Sequence, residues 1–326
     1  MSYLFHLLLL CFIGQSQNTL TETIEANVHA AKEVLEVFPK EQVQSAFSDL
    51  DRYRWSNLPV FLHPRKGVNL EQMTAVQKKV TQKLLQAALS ETGYLKANWI
   101  LWLDERRKAE MKAEGSEVYE HYGQGKFWLS IFGTPAKDQD WAWRFEGHHL
   151  SINVTFKEGK IYVTPLFLGA HPTVVADGPF AGLEVMGKET RLGNELFGSL
   201  SKEQKTKAII QSTAYDDILT RTAKERHIKE IRGLKVAEMT EWQQTHIKAI
   251  ATTYFSNFKA AIVYSYLGKI DSAPLTFAWA GTGNYEDGIY YRIQSSDFII
   301  EYDHRKKDIG HIHSVFYDIK EAFGGS

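Results

Sequence analysis

Two runs of this sequence hold the residues best equipped for chemistry. Trp141-Ala-Trp-Arg-Phe-Glu-Gly-His-His149 gathers an arginine, a carboxylate and two imidazoles, and His311-Ile-His313 follows Arg292, Gln294, Glu301 and Asp303 in a second polar stretch. Imidazoles two apart on a strand share one side of it, an arrangement that metal sites on β-scaffolds use. His149, His311, His313 and Asp303 together form a candidate ligand set, with zinc as the first divalent ion to consider and copper, iron and manganese open to the same donors. Glu146, His148 and His149 are candidates for acid–base catalysis. Arg144, Asn153, Arg292 and Gln294 are candidates for holding an anionic or carbonyl group, because a guanidinium fork matches a carboxylate. The competing reading is a polar core in which arginines and carboxylates satisfy one another with no ligand.

Other motifs carry less. Ser151 and Ser314 stand near histidines but lack the strand–turn–helix elbow of a hydrolase nucleophile. Gly281-Thr-Gly-Asn-Tyr-Glu-Asp-Gly288 joins two strands, so it reads as a hairpin loop and not as a phosphate cradle opening a helix. Asn153-Val-Thr155 is a glycosylation sequon placed mid-strand. His304, beside Arg305-Lys-Lys307, reads as part of an exposed turn, and His29, His63, His121, His227 and His246 have no carboxylate pattern around them.

Strands must position the two runs. Trp141 to Phe156 reads as extended chain, and simple alternation there mixes polar and apolar residues on both faces. A one-residue bulge at Gly147-His148 separates them, placing Arg144, Glu146, His149, Ser151 and Asn153 on one face. Strand character also covers Lys126–Phe132, Lys160–Leu168 and four stretches between Leu275 and Tyr317, each carrying one polar row. The region from about Glu22 to Gly115 reads as helical. Thr74, Ser201 and Thr240, each with glutamine three residues later, mark helix starts by capping boxes. The order helices, strands, helices, strands predicts an α+β fold: antiparallel β-meanders forming one sheet or partial barrel, with segregated helical layers. No linker separates the strand groups, so residues 17–326 read as a single domain: a helical block about 22–115, a strand-rich core about 126–168 and 274–317, and intervening helices.

The chain of 326 residues is 44% hydrophobic, ample for a packed core. Lysine plus arginine number 38 against 39 for aspartate plus glutamate, so no net field recruits nucleic acid or an anionic membrane. Leu7 to Ile13 is too short to span a bilayer and precedes Gly14-Gln-Ser16, which reads as a signal peptide over residues 1–16. The one cysteine, Cys11, lies inside that leader, so the mature chain has no thiol chemistry. The expected location is secreted or periplasmic, with no stable membrane span after cleavage.

Along Trp141-x-Trp-Arg-Phe-Glu-Gly-His-His-Leu-Ser-x-Asn153 the chain resembles a bacterial and fungal family, domain of unknown function 3500. The likeness takes in Phe132-Gly-Thr-Pro135, Pro165-Leu-Phe-Leu-Gly-Ala170, Phe277-Ala-Trp-Ala-Gly281, Tyr290-Tyr-Arg-Ile-Gln294, Phe298-Ile-Ile-Glu-Tyr-Asp303 and His311-Ile-His-Ser-Val315. The resemblance implies no settled activity, but it implies that both polar runs belong to one module. Phe316-Tyr317-Asp318 replaces the family's usual tryptophan, arginine and aspartate, so any role of that arginine does not carry over. The sequence therefore leaves two functions standing: an exported metal-dependent enzyme, hydrolase or oxidoreductase, for a small anionic or carbonyl-containing substrate, or a non-catalytic ligand-binding or structural protein.

Overall fold

A computed structural model of the chain describes residues 2–39, 42, 53–221, 228–305 and 310–325, with side chains from Thr19 onward. Among the described residues, twelve strands join in one open, mostly antiparallel sheet, in the order β1 (Val68–Asn69), β2 (Trp128–Phe132), β3 (Trp141–Glu146), β4 (Leu150–Lys157), β6 (Leu166–Ala170), β12 (Ile312–Asp318), β11 (Phe298–His304), β10 (Ile289–Gln294), β9 (Thr276–Ala280) and β7 (Ile209–Gln211). The short β5 (Lys160–Tyr162) pairs with β4 and β8 (Leu234–Lys235) with β9. The fold is α+β, and both meanders belong to the same sheet.

Seven helices are present among the described residues: α1 (Ser2–Val37), α2 (Ala75–Ala88), α3 (Glu91–Ala113), α4 (Gly187–Ser199), α5 (Lys202–Ala208), α6 (Glu241–Phe255) and α7 (Ala260–Ser272). Thr74, Ser201 and Thr240 each close a capping box with the glutamine three positions on, so all three expected starts are real and open α2, α5 and α6. In α1 the buried Ile24, Val28, Ala31 and Val34 recur at three- and four-residue spacing, which gives one apolar stripe. The expected helical block is interrupted ahead of α2, where residues 53–74 form turns, β1 and a 3-10 turn, Leu70–Gln72. No helix of the described residues is long and apolar enough to cross a membrane.

Strand register sorts the side chains. Trp143, Phe145, Ile152, Val154, Leu166, Leu168, Phe316, Ile300, Tyr302, Tyr291, Ile293 and Phe277 fall on one face, and with the helices they build the main core. Arg144, Glu146, Ser151, Asn153, His313, Glu301, Asp303 and Arg292 fall on the other. That second face holds a smaller cluster of Trp55, Phe167, Ile218, Val315, Tyr317 and Phe323.

The expected bulge at Gly147-His148 is not what separates the rows. Glu146 pairs with Ser151, and Gly147 N–H donates to Leu150 O at 2.8 Å, so the chain reverses through His148-His149 as a hairpin between β3 and β4. A two-residue turn swaps odd and even positions as one extra residue does, which is why the expected polar row survives with a different cause. Gly147 does not take the left-handed region; a Cβ there would lie 2.4 Å from the Phe127 ring. His304 is a second correction. It is fully buried as the last residue of β11, its ring 4.3 Å from Tyr285, because alternation from Tyr302 carries it onto the apolar face. The expectation for His227 falls outside the described residues.

A Gly147→Ala substitution should destabilise the fold by about 1–3 kcal/mol, since the added methyl meets a buried ring. Urea unfolding would read this, and an unchanged midpoint would contradict the packing.

Candidate metal centre

The polar face carries two flanking networks of arginines, carboxylates and amides. Around β3, Arg144 Nε donates to Asn153 Oδ1 at 2.7 Å, and Asn153 Nδ2 donates to Pro165 O at 2.7 Å and to Ser151 Oγ at 3.1 Å. Glu146 lies between two guanidinium groups, 3.6 Å from Arg144 and 3.4 Å from Arg65, a residue that sequence reasoning passed over. Arg65 also donates to the carbonyls of His63, Leu58 and Gly147, the last two at 2.7 and 2.8 Å. Asn153 is buried within this network, which leaves the sequon no exposed amide. On the far side, Glu301 accepts from Leu219 N, Thr220 N and Tyr290 Oη, each at 2.8 Å. Gln294 Nε2 donates to Ile228 O at 2.8 Å, and Arg292 is buried close to Tyr290.

Between these networks lie the histidines. His148 and His149 occupy the β3–β4 turn with their rings stacked 3.9 Å apart, while His311 and His313 stand at the start of β12. His149 Nε2 lies 2.7 Å from His311 Nε2, which lies 3.0 Å from His313 Nε2. His148, His149 and His311 each offer a ring nitrogen within 4.8 Å of the others, and all three are buried. The close approach needs Gly169 of β6: a Cβ there would come 2.7 Å from His149 Cδ2 and 2.9 Å from Ile312 O.

One nitrogen carries one hydrogen or one lone pair, so His311 Nε2 cannot make full hydrogen bonds to both neighbours. A metal ion, which takes several lone pairs at one point, resolves that crowding. Four-coordinate nitrogen ligands at about 2.0–2.1 Å stand roughly 3.3 Å apart, so the His149–His311 pair, 2.7 Å apart, would open to receive an ion. The His148/His149/His311 group can hold a metal ion.

The surroundings suit that use. His313 Nδ1 lies 2.7 Å from Asp217 Oδ1, and His148 Nδ1 lies 3.6 Å from Asp104 Oδ1. Carboxylates behind imidazoles fix ring orientation and raise ligand basicity. Burial pushes the Asp217 carboxyl up, but His313, Arg305 and the Ile218 N–H outweigh it and hold it below the ordinary range. Burial lowers His148 despite Asp104, and burial with the neighbouring imidazoles holds His149 well below the usual histidine value, so its lone pair is available at neutral pH. Asp303 sits opposite His313 with neither oxygen hydrogen-bonded; burial first, then Asp217, pushes its carboxyl well up.

The cluster opens on a cavity of about 360 Å³ whose wall includes His148, His311, His313, Asp217, Arg107 and Arg305. His171, stacked on His311 at 4.9 Å, also lines it, as does Asn57, whose Nδ2 donates to Asp217 and whose buried Oδ1 has no partner. Of the candidates named from sequence, the structure brings His148, His149, His311 and His313 together, with Asp303 beside them, while Arg144, Glu146, Asn153, Arg292 and Gln294 sit in the flanking networks. Asp104, Asp217, Asn57, His171 and Arg305 were not found from sequence. They arrive from α3 and from loops, where no strand alternation marks them. A second hollow of about 490 Å³ lies elsewhere, lined mostly by aliphatic residues such as Ile247, Ile270 and Leu275.

The sequence model of a family described as "Protein of unknown function (DUF3500)" matches residues 19–325, nearly the whole chain. No curated protein and no solved structure gives a match.

In the metal-free protein, His149 is neutral when folded but gains a proton in the unfolded chain below about pH 6.5. The stability it contributes is present above that pH and falls by about 1.4 kcal/mol per unit on acidification. Asp303 works in the opposite sense, losing stability as pH rises, so the difference between parent and His149→Gln isolates the histidine. Denaturant unfolding between pH 6.5 and 5 should show a shallower loss in the variant. Equal slopes would mean that His149 is already protonated in the native state.

Proposed function

Since the chain belongs to the DUF3500 family, whose description names no activity, we propose on the site's own geometry that it is a metal-dependent enzyme, hydrolase or oxidoreductase, acting on a small anionic or carbonyl-containing substrate. The observation that carries this reading is the convergence of buried imidazole nitrogens at the wall of a substrate-sized cavity. His148, His149 and His311 are the first three ligands, and zinc is the first ion to test, with copper, iron and manganese suited to the same donors. A divalent ion held there supplies a Lewis acid and lowers the pKa of water.

The chain's own groups supply the rest. His313 is held by Asp217 through Nδ1, which leaves its Nε2 to take a proton; the carboxylate then stabilises the imidazolium. Arg107 and Arg305 give the cavity wall positive charge for an anionic substrate, while Leu58, Pro59, Leu62 and Met111 give it an apolar side. Asn57 Oδ1, buried and without a partner, calls for a hydrogen-bond donor on the ligand. Asp303 stands in reserve as an oxygen ligand beside His313. The networks of Arg144 with Asn153, and of Glu301 with Tyr290 and the Leu219 and Thr220 amides, support the site by tying its strands to one another and to loops.

Elemental analysis of the untagged protein after reconstitution with several divalent ions should find about one equivalent of metal, and His149→Ala and His311→Ala should each lose at least tenfold in affinity. Metal at a hundred times its Kd should raise stability by about 2.7 kcal/mol. No stoichiometric metal with any ion would overturn the reading.

The export of the chain belongs to the same proposal. It is supported by the apolar run before Ser16 and the small residues at Gly14 and Ser16. Expression in a secreting host should deliver a protein outside the cytoplasm that begins close to Gln17 on N-terminal sequencing. A product retained in the cytoplasm with its first residues intact would count against export.

A further inference from the structure

The hydrogen-bond partners of His311 constrain it more than its position does. Arg305 NH1 lies 3.2 Å from His311 Nδ1, Arg305 Nε donates to Asp216 O at 2.7 Å, and Arg305 N–H donates to His311 O at 3.0 Å. A guanidinium has hydrogens to give and no lone pair to accept with. His311 Nδ1 must therefore be the acceptor, and in the neutral ring the hydrogen sits on Nε2. Its neighbour agrees: His313 directs Nδ1–H at the Asp217 carboxylate, so His313 Nε2 carries the lone pair that accepts from His311 Nε2–H across 3.0 Å. The result is a directed chain from Arg305 through His311 and His313 to Asp217.

Such a chain conflicts with metal binding. For Nε2 of His311 to coordinate, its hydrogen must leave and the ring must carry one on Nδ1, where it faces the Arg305 N–H. Two donors then point at each other, and one must withdraw.

We propose that Arg305 is a positioning residue that holds His311 in the Nε2–H tautomer, so that capture of a metal by His311 requires Arg305 NH1 to release Nδ1. This rests on the metal-centre reading above. No net proton is gained or lost: the neutral ring exchanges its Nε2 hydrogen for one on Nδ1. The displaced guanidinium is not stranded, because Arg305 stands on the cavity wall within electrostatic reach of Asp217 and of Asp303, whose two oxygens have no hydrogen-bond partner. An anionic group entering the cavity meets the same guanidinium. Release of Arg305 thus links filling of the ion site to the charge available for substrate.

A charge-assisted hydrogen bond forfeited on coordination is worth roughly ten- to a hundredfold in an equilibrium constant. The test uses the full chain in two forms, parent and Arg305→Met. In the metal-stripped parent, long-range proton–nitrogen correlation on 15N-histidine should show the His311 hydrogen on Nε2; in Arg305→Met that preference should weaken or reverse. Cobalt(II), followed by its visible absorption, should bind Arg305→Met about tenfold or more tighter than the parent. Equal or weaker cobalt affinity in a variant that keeps the parent's circular dichroism and unfolding transition, or His311 protonated on Nδ1 in a parent that takes cobalt, overturns the restraint and leaves the metal centre standing. If neither form takes cobalt or any other divalent ion, the metal centre falls and the restraint with it. A variant that merely unfolded would lose cobalt binding, the opposite of the expected gain, and the tautomer of the parent is read without any substitution.

Discussion

Reversal of the chain through His148-His149 is the constraint on which the rest depends. Because the turn has two residues, even-numbered Arg144 and Glu146 pair with odd-numbered Asn153 and Ser151. Polar side chains of both strands then share a face, and Trp143 and Phe145 join Val154 and Ile152 against the helices. One residue more or fewer in the turn would turn one strand over and drive serine and asparagine into the helical layer. The same alternation, carried through β6, β12, β11 and β10, aligns polar groups from both halves of the sequence on one side of the sheet.

A polar face that is also buried must satisfy its groups or lose stability. At the β3 side Arg65 donates to carbonyl oxygens, although Glu146 Oε1 keeps no hydrogen bond, and at the β10 side backbone amides donate to Glu301. Between them lie the four imidazoles, with His311 tied to Arg305, His313 to Asp217, and His149 Nε2 set against His311 Nε2. Their nitrogens face one another, and burial with mutual repulsion keeps His149 from taking a proton to relieve the crowding. Chemistry is thus concentrated where imidazoles crowd one another between the two networks. The flanking networks make the location rigid, a condition for holding ligands at a fixed separation.

Much of this was legible in the sequence because it depends on local periodicity. The capping boxes at Thr74, Ser201 and Thr240 and the alternation in Tyr290–Gln294 and Phe298–Asp303 are short-range signals, and the polar row of Arg144 to Asn153 was assigned to the right face. The mechanism behind that row was not legible, since a bulge and a two-residue turn shift parity alike and differ only in which strands pair. His304 escaped because the cluster Arg305-Lys-Lys307 reads as solvent-exposed, whereas β11 continues to its edge. Asp104, Asp217 and Asn57 come from α3 and from loop segments, and what makes each of them matter is a partner far along the chain: 160 positions separate Asn57 from Asp217. No pattern within a window of ten or twenty residues encodes such a meeting.

Gly169 has a consequence for how the site tolerates motion. β4 and β12 share no hydrogen bonds; each pairs with β6, which lies between them. Two strand spacings of about 4.8 Å put their backbones nearly 10 Å apart. A strand usually insulates its neighbours on either side, because its own side chains fill the interval. At Gly169 there is no side chain, and His149 and His311 reach each other above the bare backbone. His149 is tied to β6 by Gly169 N–H, and β12 by its own ladder to the same strand. When β6 shifts, both imidazoles are carried with it, so displacements of the two rings are correlated and their separation is conserved.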